Sequence, residues 1–287
     1  MKNQIMFELS KIYGTPFYVY DFFKLKSSYK ELNSIFSPLA KIFYSIKANP
    51  SLAICHEFQN LGSGAEVCSL IELETALKSG FLAENIIAVG PAKSENFLRR
   101  CLEMKIYCVV CESFSELDLI KKIAFDLSII APIAIRINPN FLVKNALLKM
   151  GGQSSQFGID ESILLSHFSH FLDKNIQLRG IHIYNGTRIL DAKLLSENII
   201  NILVLAEKLM KDFNLNFEMI DLGGGFGIPY FSDEKYLDTQ LLKKLVPPIL
   251  KDFFSKYPKI KLIVESGRFL IAPAGFFITK ILGSDTN

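Results

Sequence analysis

The most constraining feature of the sequence is a regular alternation of short apolar segments with amphipathic ones. Eight apolar segments predict β-strands at Ile42–Ala48, Gly64–Ser69, Ile86–Pro91, Ile106–Glu112, Ile133–Pro139, Leu178–Tyr184, Glu218–Gly223 and Lys261–Ser266. Between them, segments such as Leu70–Ser79, Glu116–Phe125 and Leu190–Phe213 have the apolar periodicity of helices. Strands that alternate with helices predict a parallel sheet. Eight repeats over about 230 residues fit a (β/α)8 barrel, with a doubly wound open sheet as the alternative.

The bulk composition is that of an ordinary globular protein. Of the 287 residues, 21% are charged and 49% are hydrophobic, and the net charge of +3 is too small to predict a nucleic-acid partner. The N-terminal stretch carries Glu8 and does not resemble a signal peptide. The apolar segment Phe269–Thr279 is too short to span a bilayer. These features predict a cytoplasmic protein without a membrane partner.

The five cysteines, an odd number, favour a reducing compartment over a disulfide framework. Cys108 and Cys111 have the spacing of a zinc or redox pair, but they fall on a predicted strand, where residues three apart face opposite sides. We therefore expect both to be buried as small hydrophobic residues, and the sequence predicts no metal site.

Residues suited to chemistry follow the predicted strands at their C-terminal ends, where (β/α)8 barrels place their active sites. The first strand ends at Lys47, the fifth contains Arg136 and the sixth carries His182. The seventh runs into the glycine-rich segment Gly223–Gly227, and the eighth runs into Glu265–Arg268. This convergence is more informative than any one of the motifs.

The glycine-rich segment could bind a phosphate. Gly223, Gly224 and Gly225 would let backbone N–H groups approach the oxygens, although a tight strand-to-helix turn explains them equally well. A dinucleotide fingerprint fails because Ile228 stands where a glycine is required, and no Walker-type Gly-Lys-Ser/Thr follows. A single phosphate is therefore favoured.

Three further residues have ordinary explanations when each is taken alone. Lys47 could be a solvated lysine at a strand end, His182 a core histidine and Glu265 an ion-pair partner of Arg268. Together with the glycines they predict a pyridoxal phosphate site. The lysine would bond to the aldehyde, the imidazole would cover the ring, and the carboxylate would pair with the pyridinium nitrogen.

The chain resembles the pyridoxal-phosphate-dependent decarboxylases of ornithine, diaminopimelate and arginine, which have the alanine-racemase-like barrel. The resemblance extends from Gly14 to about Leu270, in the order of that family. It rests on the segments GTPFYVYD, FYSIKAN, GAEVCSLIELETAL, IRINP, GIHIYNGT, DLGGGFG and ESGRFL.

The resemblance implies roles for individual residues. Lys47 is the lysine that bonds covalently to the cofactor, His182 stacks on the cofactor ring, and Glu265 is the partner of the pyridine nitrogen. The other residues placed near the phosphate or the ring are Glu66, Glu72, Arg136, Gly223, Gly224, Gly225, Gly267 and Arg268.

The resemblance also implies a domain organisation. Residues 1–40 form an N-terminal extended segment and a helix, 41–270 the cofactor-binding barrel, and 271–287 the start of a β-domain. Gly275–Leu282 resembles the entering strand of that domain, with Thr15–Tyr20 as its partner. Relatives continue into the β-domain, whereas this sequence stops at Asn287, which implies a truncated product, a fragment or one half of a split enzyme. A homodimer or a complementing C-terminal chain is therefore an implied partner.

The implied function is α-decarboxylation of an amino acid. The segment Lys149–Asp160, with HIYNGT and GGGFGIPYFS, favours the subtype acting on glutamate tethered to an acyl-carrier protein, with diaminopimelate decarboxylase second. Because relatives complete their active site with the β-domain, full activity is not expected from this chain alone. The alternatives are a non-catalytic cofactor-binding or interaction protein and an amino-acid racemase on the same barrel. Related racemases usually place arginine opposite the ring nitrogen, where this chain has Glu265.

Overall fold

The protein folds as a closed barrel of eight parallel strands. The computed structural model describes residues 2–141, 148–149 and 156–283. The barrel strands are β1 (Ala40–Ser45), β2 (Gly64–Val67), β3 (Ile86–Ala88), β4 (Cys108–Cys111), β5 (Ala131–Asn138), β6 (Ile176–His182), β7 (Met219–Asp221) and β8 (Lys261–Ser266). Each strand pairs with the next in sequence, and β8 pairs with β1. The predicted (β/α)8 barrel is confirmed, and the open sheet is excluded.

Helices surround the barrel. They are α1 (Lys2–Tyr13), α2 (Phe22–Phe36), α3 (Leu52–Asn60), α4 (Leu70–Lys78), α5 (Glu95–Glu103), α6 (Phe114–Asp126), α7 (Glu161–Ser166), α8 (Ala192–Asp212), α9 (Thr239–Lys256) and α10 (Arg268–Ile271). Side chains of Ser69, Ser94 and Ser113 accept hydrogen bonds from backbone N–H groups in the first turns of α4, α5 and α6. These caps begin the helices and lie within two to six residues of the end of the preceding strand. No described helix has the length and apolar character needed to cross a bilayer.

The apolar core has two layers. A small cluster fills the inside of the barrel and includes Phe43, Cys108 and Met219, while a much larger one lies between the strands and the helices. Cys108 belongs to the inner cluster and Cys111 to the outer one, and both are fully buried. The prediction that these two cysteines face opposite sides of a strand is confirmed. All five cysteines are free thiols.

The two ends of the described chain meet in a separate two-stranded sheet. Phe17–Tyr20 pairs antiparallel with Gly275–Ile278, as the sequence predicts. Tyr18 and Phe277 lie across this ladder with their ring centroids 4.9 Å apart, and both are more than half exposed. The exposed aromatic face has the apolar character expected of a surface that another element covers.

The long polar segment between β5 and α7, which the sequence singles out as a functional loop, falls largely outside the described residues. Its described parts are residues 138–141, 148–149 and 156–158. Asn138 donates to the Asp160 carboxylate at 2.5 Å, and the Asn140 N–H donates to Glu161 at 3.0 Å. The subtype assignment based on Lys149–Asp160 therefore stays a prediction.

Basic side chains occupy the N-terminal end of the barrel, opposite the cavity described below. The Lys261 ammonium lies 4.0 Å from the centroid of the Tyr107 ring, and Arg179 donates to the Tyr107 carbonyl oxygen at 2.6 Å. Burial lowers the pKa of Lys261 to about 8, and repulsion from Lys41 and Arg179 adds to the effect, opposed by Glu84.

The lowered pKa predicts a specific pH dependence of stability. Between pH 8 and the ordinary lysine pKa of about 10.4, folded Lys261 has lost its proton and the unfolded chain retains it. Stability should therefore rise with pH in this interval. From pH 8 to pH 10, the melting temperature of wild type should therefore rise relative to that of Lys261→Met. The exposed-site control Lys251→Met should show a constant difference, and a constant difference for Lys261→Met would refute the lowered pKa.

Candidate active site

A cavity of about 250 Å³ opens at the C-terminal ends of the barrel strands. Lys47 follows β1, Gly225 follows β7, and Glu265 lies near the end of β8, so neighbouring strands deliver all three to one space. The remaining lining includes Tyr184, Thr187, Gly267 and Arg268. Five of the predicted site residues, Lys47, Gly225, Glu265, Gly267 and Arg268, line this cavity.

Lys47 lies on a single 3₁₀ turn, Ile46–Ala48, which ends β1 and directs the side chain toward β2. Its ammonium group contacts the Glu66 carboxylate and lies 3.7 Å from the Cys68 thiol. Burial favours the neutral amine, but Glu66, Cys68 and Glu265 outweigh burial and raise the pKa of Lys47. Without a ligand the lysine is therefore a cation, and Glu66 is the acceptor in contact with its proton.

His182 and Glu265 form a buried pair next to the cavity. The imidazole Nε2 lies 3.3 Å from Glu265 Oε1, and the two side chains are 0% and 2% exposed. Burial opposes ionisation of Glu265, but His182, Lys47 and Arg136 lower the pKa of its carboxyl. Glu265 is therefore a buried carboxylate, which is the state needed to hold a proton on a neighbouring ring nitrogen.

The three glycines after β7 form a cradle whose shape excludes side chains. A Cβ added to Gly223, Gly224 or Gly225 would overlap the carbonyl oxygens of Ile183, Glu265 and Gly186, respectively. Gly223 and Gly225 also have φ values of +64° and +91°. In the described part of the chain, the N–H groups of Gly224 and Gly225 have no hydrogen-bond acceptor. The cradle therefore brings free backbone donors to the edge of the cavity.

A guanidinium group faces this cradle. Arg268 begins α10, directly after Gly267, and donates to the Thr187 hydroxyl at 3.4 Å. The guanidinium carbon lies 5.5 Å from the centroid of the Tyr230 ring. A cation, a hydroxyl and free backbone amides at one end of the cavity form a suitable site for a phosphate dianion.

Arg188 and Glu234 hold the rim beside Arg268. Their side chains form an ion pair, and the Arg188 guanidinium carbon lies 4.0 Å from the centroid of the same Tyr230 ring. Glu234 also accepts from the backbone N–H groups of Tyr230 and Phe231 at 2.6 and 3.2 Å. The segment that follows the glycines is thereby tied over the outer edge of the cavity.

The structure separates the two acidic residues that follow β2. Glu66 is fully buried and contacts Lys47, so it lies next to the candidate site although it does not line the cavity. Glu72 lies in the first turn of α4, where its carboxylate accepts from the Cys68 N–H at 2.7 Å and its own N–H donates to Ser69 Oγ. Glu72 thus has a structural explanation as part of a helix cap.

Arg136 does not line the cavity, but it lies one strand from His182, with which it is in register. Its guanidinium donates to both carboxylate oxygens of Glu112 at 2.9 and 3.0 Å. Glu112 also accepts from the Gly90 N–H at 2.6 Å. Arg136 is therefore held by an ion pair that spans β4 and β5.

Removing this carboxylate should strongly destabilise the protein. Glu112→Ala would leave the buried Arg136 guanidinium and the Gly90 N–H without their acceptor, at a cost of about 3–5 kcal/mol in unfolding free energy. Chemical denaturation measures this loss. The matched control is Glu74→Ala, which removes the half-exposed pair with Arg100 and should change stability little. Similar small effects in both variants would contradict the structural role of Glu112.

Sequence reasoning missed several residues of the site. Asp221, the last residue of β7, is fully buried beside Glu265. A ring nitrogen of His182 and one carboxylate oxygen each of Asp221 and Glu265 lie within 4.8 Å of one another. Tyr184 and Thr187 line the cavity, and burial raises the pKa of Tyr184. Their positions in HIYNGT and DLGGGFG, after predicted strands, were the available signals.

Comparisons with known proteins agree with the barrel and the site. Residues 23–272 match the pyridoxal-binding domain of the pyridoxal-dependent decarboxylases. The L-glutamyl-[BtrI acyl-carrier protein] decarboxylase of Niallia circulans is 36% identical over 283 residues, which are 96% of this chain and 64% of that protein. The diaminopimelate decarboxylase of Helicobacter pylori is 33% identical over 282 residues, which are 96% of this chain and 67% of that protein.

Solved structures show the same architecture. The Helicobacter pylori diaminopimelate decarboxylase complexed with L-lysine has a TM-score of 0.82 and 29% identity, covering 94% of this chain and 68% of that one. The enzyme from M. jannaschii in co-complex with L-lysine has a TM-score of 0.86 and 29% identity, covering 94% and 64%. The fold is therefore the alanine-racemase-like barrel. The chain spans about two thirds of the length of these relatives and belongs to the family of pyridoxal-dependent decarboxylases.

The residues present fit pyridoxal phosphate, the cofactor of this family. The cradle at Gly223–Gly225 excludes side chains and offers free amides, as a phosphate requires. Glu265 Oε1 and both ring nitrogens of His182 are buried and have no hydrogen-bond partner among the described residues. Lys47 lines the same cavity. An amine, a carboxylate and a phosphate cradle in one cavity are the three contacts that this cofactor needs.

Proposed function

We propose that this chain is the cofactor-binding part of an enzyme that removes the α-carboxylate of an amino acid as carbon dioxide. The observation that carries the proposal is the common cavity of Lys47, Glu265, Arg268 and Gly225, the last residue of the glycine cradle. A lysine and an acid at the two ends of a cofactor ring suit reactions in which the ring takes up an electron pair. The resemblance to named decarboxylases supports carboxylate loss as that reaction.

Each residue has a task that follows from its surroundings. Pyridoxal phosphate supplies an aldehyde for amines and a ring that accepts electrons. Lys47 would provide the amine for that aldehyde, and Glu66, which contacts the Lys47 ammonium, would accept the proton that the ammonium must first lose. Glu265 would keep a proton on the ring nitrogen, and the His182 imidazole packs against Glu265, with Nε2 3.3 Å from Oε1.

The phosphate end anchors the cofactor. The Gly224 and Gly225 amides and the Arg268 guanidinium would bind the phosphate oxygens. Glu112 keeps Arg136 in place beside His182. The Arg136 guanidinium adds positive charge near Glu265 and helps to keep the Glu265 carboxyl ionised. Gly267 leaves room at the turn, since an added Cβ would lie 2.9 Å from the Ala48 Cβ.

For the substrate, we favour glutamate tethered to an acyl-carrier protein, with diaminopimelate as the second choice. The support is the 36% identity with a glutamyl-carrier-protein decarboxylase, against 33% with a diaminopimelate decarboxylase. We further propose that a β-domain, on the same or a partner chain, covers the exposed Tyr18 and Phe277 and completes the site, in a homodimer or a complementing pair. The free thiols and a soluble amino-acid substrate favour the cytoplasm.

The test is carbon dioxide release from the purified protein with pyridoxal phosphate and three substrates: glutamyl-carrier protein, free glutamate and diaminopimelate. Release from the carrier-bound substrate once the β-domain of a relative is added, absent in Lys47→Ala and retained in Lys251→Ala, is the expected result. Release from diaminopimelate alone would move the assignment to the second substrate. Loss of optical activity without gas would indicate a racemase. A stable cofactor adduct without turnover, including after addition of the β-domain of a relative, would indicate a non-catalytic binding protein.

A further inference from the structure

Three neighbouring strands place three ionisable groups inside the barrel beside the cavity. His182 ends β6, Asp221 ends β7, and Glu265 lies one residue before the end of β8. Asp221 is in register with His182 on one side and with Ile263 on the other. The side chains of all three are at most 2% exposed. A ring nitrogen of His182 and one carboxylate oxygen each of Asp221 and Glu265 lie within 4.8 Å of one another. Two carboxyl groups therefore lie close together in a buried space.

The hydrogen bonds around these carboxyl groups are incomplete. Asp221 Oδ1 accepts from the Gly223 N–H at 2.9 Å. Asp221 Oδ2 and Glu265 Oε1 are buried and make no hydrogen bond in the described part of the chain, although His182 Nε2 lies 3.3 Å from Glu265 Oε1. Two ionised carboxylates at this separation would repel each other in a medium of low polarity, and each would leave an oxygen unsatisfied. One proton between them removes the repulsion and supplies the missing donor.

The surrounding charges decide which carboxyl carries the proton. Burial raises the pKa of Asp221, and the carboxylates of Glu265 on β8 and Glu66 on β2 raise it further, against the Gly223 N–H. Glu265 instead faces His182 on β6, Lys47 after β1 and Arg136 on β5, and these neighbours lower the pKa of its carboxyl despite burial. The proton therefore belongs to Asp221, and the negative charge belongs to Glu265.

We propose that Asp221 is a positioning residue whose protonated carboxyl donates a hydrogen bond to Glu265 and fixes the carboxylate that serves the ring nitrogen of the cofactor. The proposal rests on the proposed cofactor chemistry only for its purpose, since the shared proton is a property of the cofactor-free protein. It also explains the packing of two acids side by side. A neutral Asp221 orients Glu265 without adding a second charge, and Glu265 keeps its other lone pairs for the ring.

The first test uses the cofactor-free protein. A buried protonated carboxyl gives a carbonyl stretch in the infrared spectrum that moves in heavy water. Wild type should show this band at neutral pH, and the difference spectrum against Asp221→Asn should contain it. Asp221→Asn keeps the shape, the neutral charge and an N–H donor. No such band in the difference spectrum would overturn the proposal.

The second test is the pH dependence of stability. Asp221 is protonated when folded and ionises on unfolding above about pH 4, so wild type should lose stability as pH rises. Asp221→Asn does not titrate. Its melting temperature relative to wild type should therefore increase by at least about 3 °C between pH 4 and pH 7. If the difference in melting temperature between Asp221→Asn and wild type does not change with pH, Asp221 is ionised in the folded protein and the proposal is wrong.

The third test separates positioning from general destabilisation. With pyridoxal phosphate bound, Asp221→Ala should shift the pH at which the visible band of the cofactor changes, because Glu265 loses its donor, whereas Asp221→Asn should restore it. If wild type forms no adduct, the proposed function fails, while the infrared and stability results still decide whether Asp221 carries the proton.

Added zinc or magnesium is the last control. A metal that raises the melting temperature of wild type but not of Asp221→Asn, and removes the infrared band, would make the three residues a metal site instead.

Discussion

Lys47→Ala should completely lose the ability to form a borohydride-reducible adduct with pyridoxal phosphate, and with it any turnover. The reason is chemical, since Lys47 is the lysine that lines the cavity between the glycine cradle and Glu265 in the described residues. No neighbouring amine replaces it, because the cavity lining contains no second lysine among those residues. The measurement is the visible absorption spectrum before and after reduction.

Two further variants make the loss at Lys47 specific. Lys47→Arg keeps a cation beside Glu66 but cannot bond to an aldehyde, so it should also form no adduct while retaining the stability of wild type. Lys251→Ala, at an exposed position on α9, should behave as wild type in both assays. An adduct that persists in Lys47→Ala at wild-type yield would disprove the assignment of this lysine.

Gly224→Ala should damage both the fold and the phosphate end of the site. The new Cβ would overlap the Glu265 carbonyl oxygen, a backbone atom that cannot rotate away. We expect a loss of about 3 kcal/mol in unfolding free energy, the upper end of typical overpacking costs. Displacement of the amides should also weaken pyridoxal phosphate binding by about 10- to 100-fold, since one charge-assisted hydrogen bond is at stake.

Gly180 provides the matched control for this effect. A Cβ at Gly180 would overlap the Met219 carbonyl oxygen between β6 and β7, away from the cavity lining. Gly180→Ala should therefore lose stability without a change in cofactor affinity measured well below its melting temperature. Gly283→Ala, with no atom within 4 Å of its Cβ, should be neutral in both. Equal affinity losses at Gly180 and Gly224 would argue against a phosphate cradle.

The barrel could be predicted from the sequence because its pattern is local and repeated. Each apolar run from Ile42–Ala48 to Lys261–Ser266 contains one observed strand or most of it, since strands buried on both faces have near-continuous apolar sequences. The helix α9 is less evident, because Pro247 and Pro248 lie inside it and lack the N–H that a helix interior uses. Its packing against α2 and α8 outweighs that local signal.

The site could be predicted only as far as residues follow strands in recognisable motifs. Lys47, Glu265 and the glycines come together because parallel strands end at the same side of the barrel. The Glu112–Arg136 pair and the Asp221–Glu265 contact depend on which strands are neighbours and on how deeply their side chains are buried. Such facts arise from packing between distant parts of the chain, so periodicity and motif spacing do not reveal them.

The measurement that tests the central claim most directly is reductive trapping followed by peptide mapping. The protein is saturated with pyridoxal phosphate, reduced with borohydride, digested and examined by mass spectrometry. The account predicts one modified peptide, with the pyridoxyl group on Lys47. A folded protein that carries the label mainly on another lysine, or that carries none, would contradict the assignment of this cavity as the cofactor site.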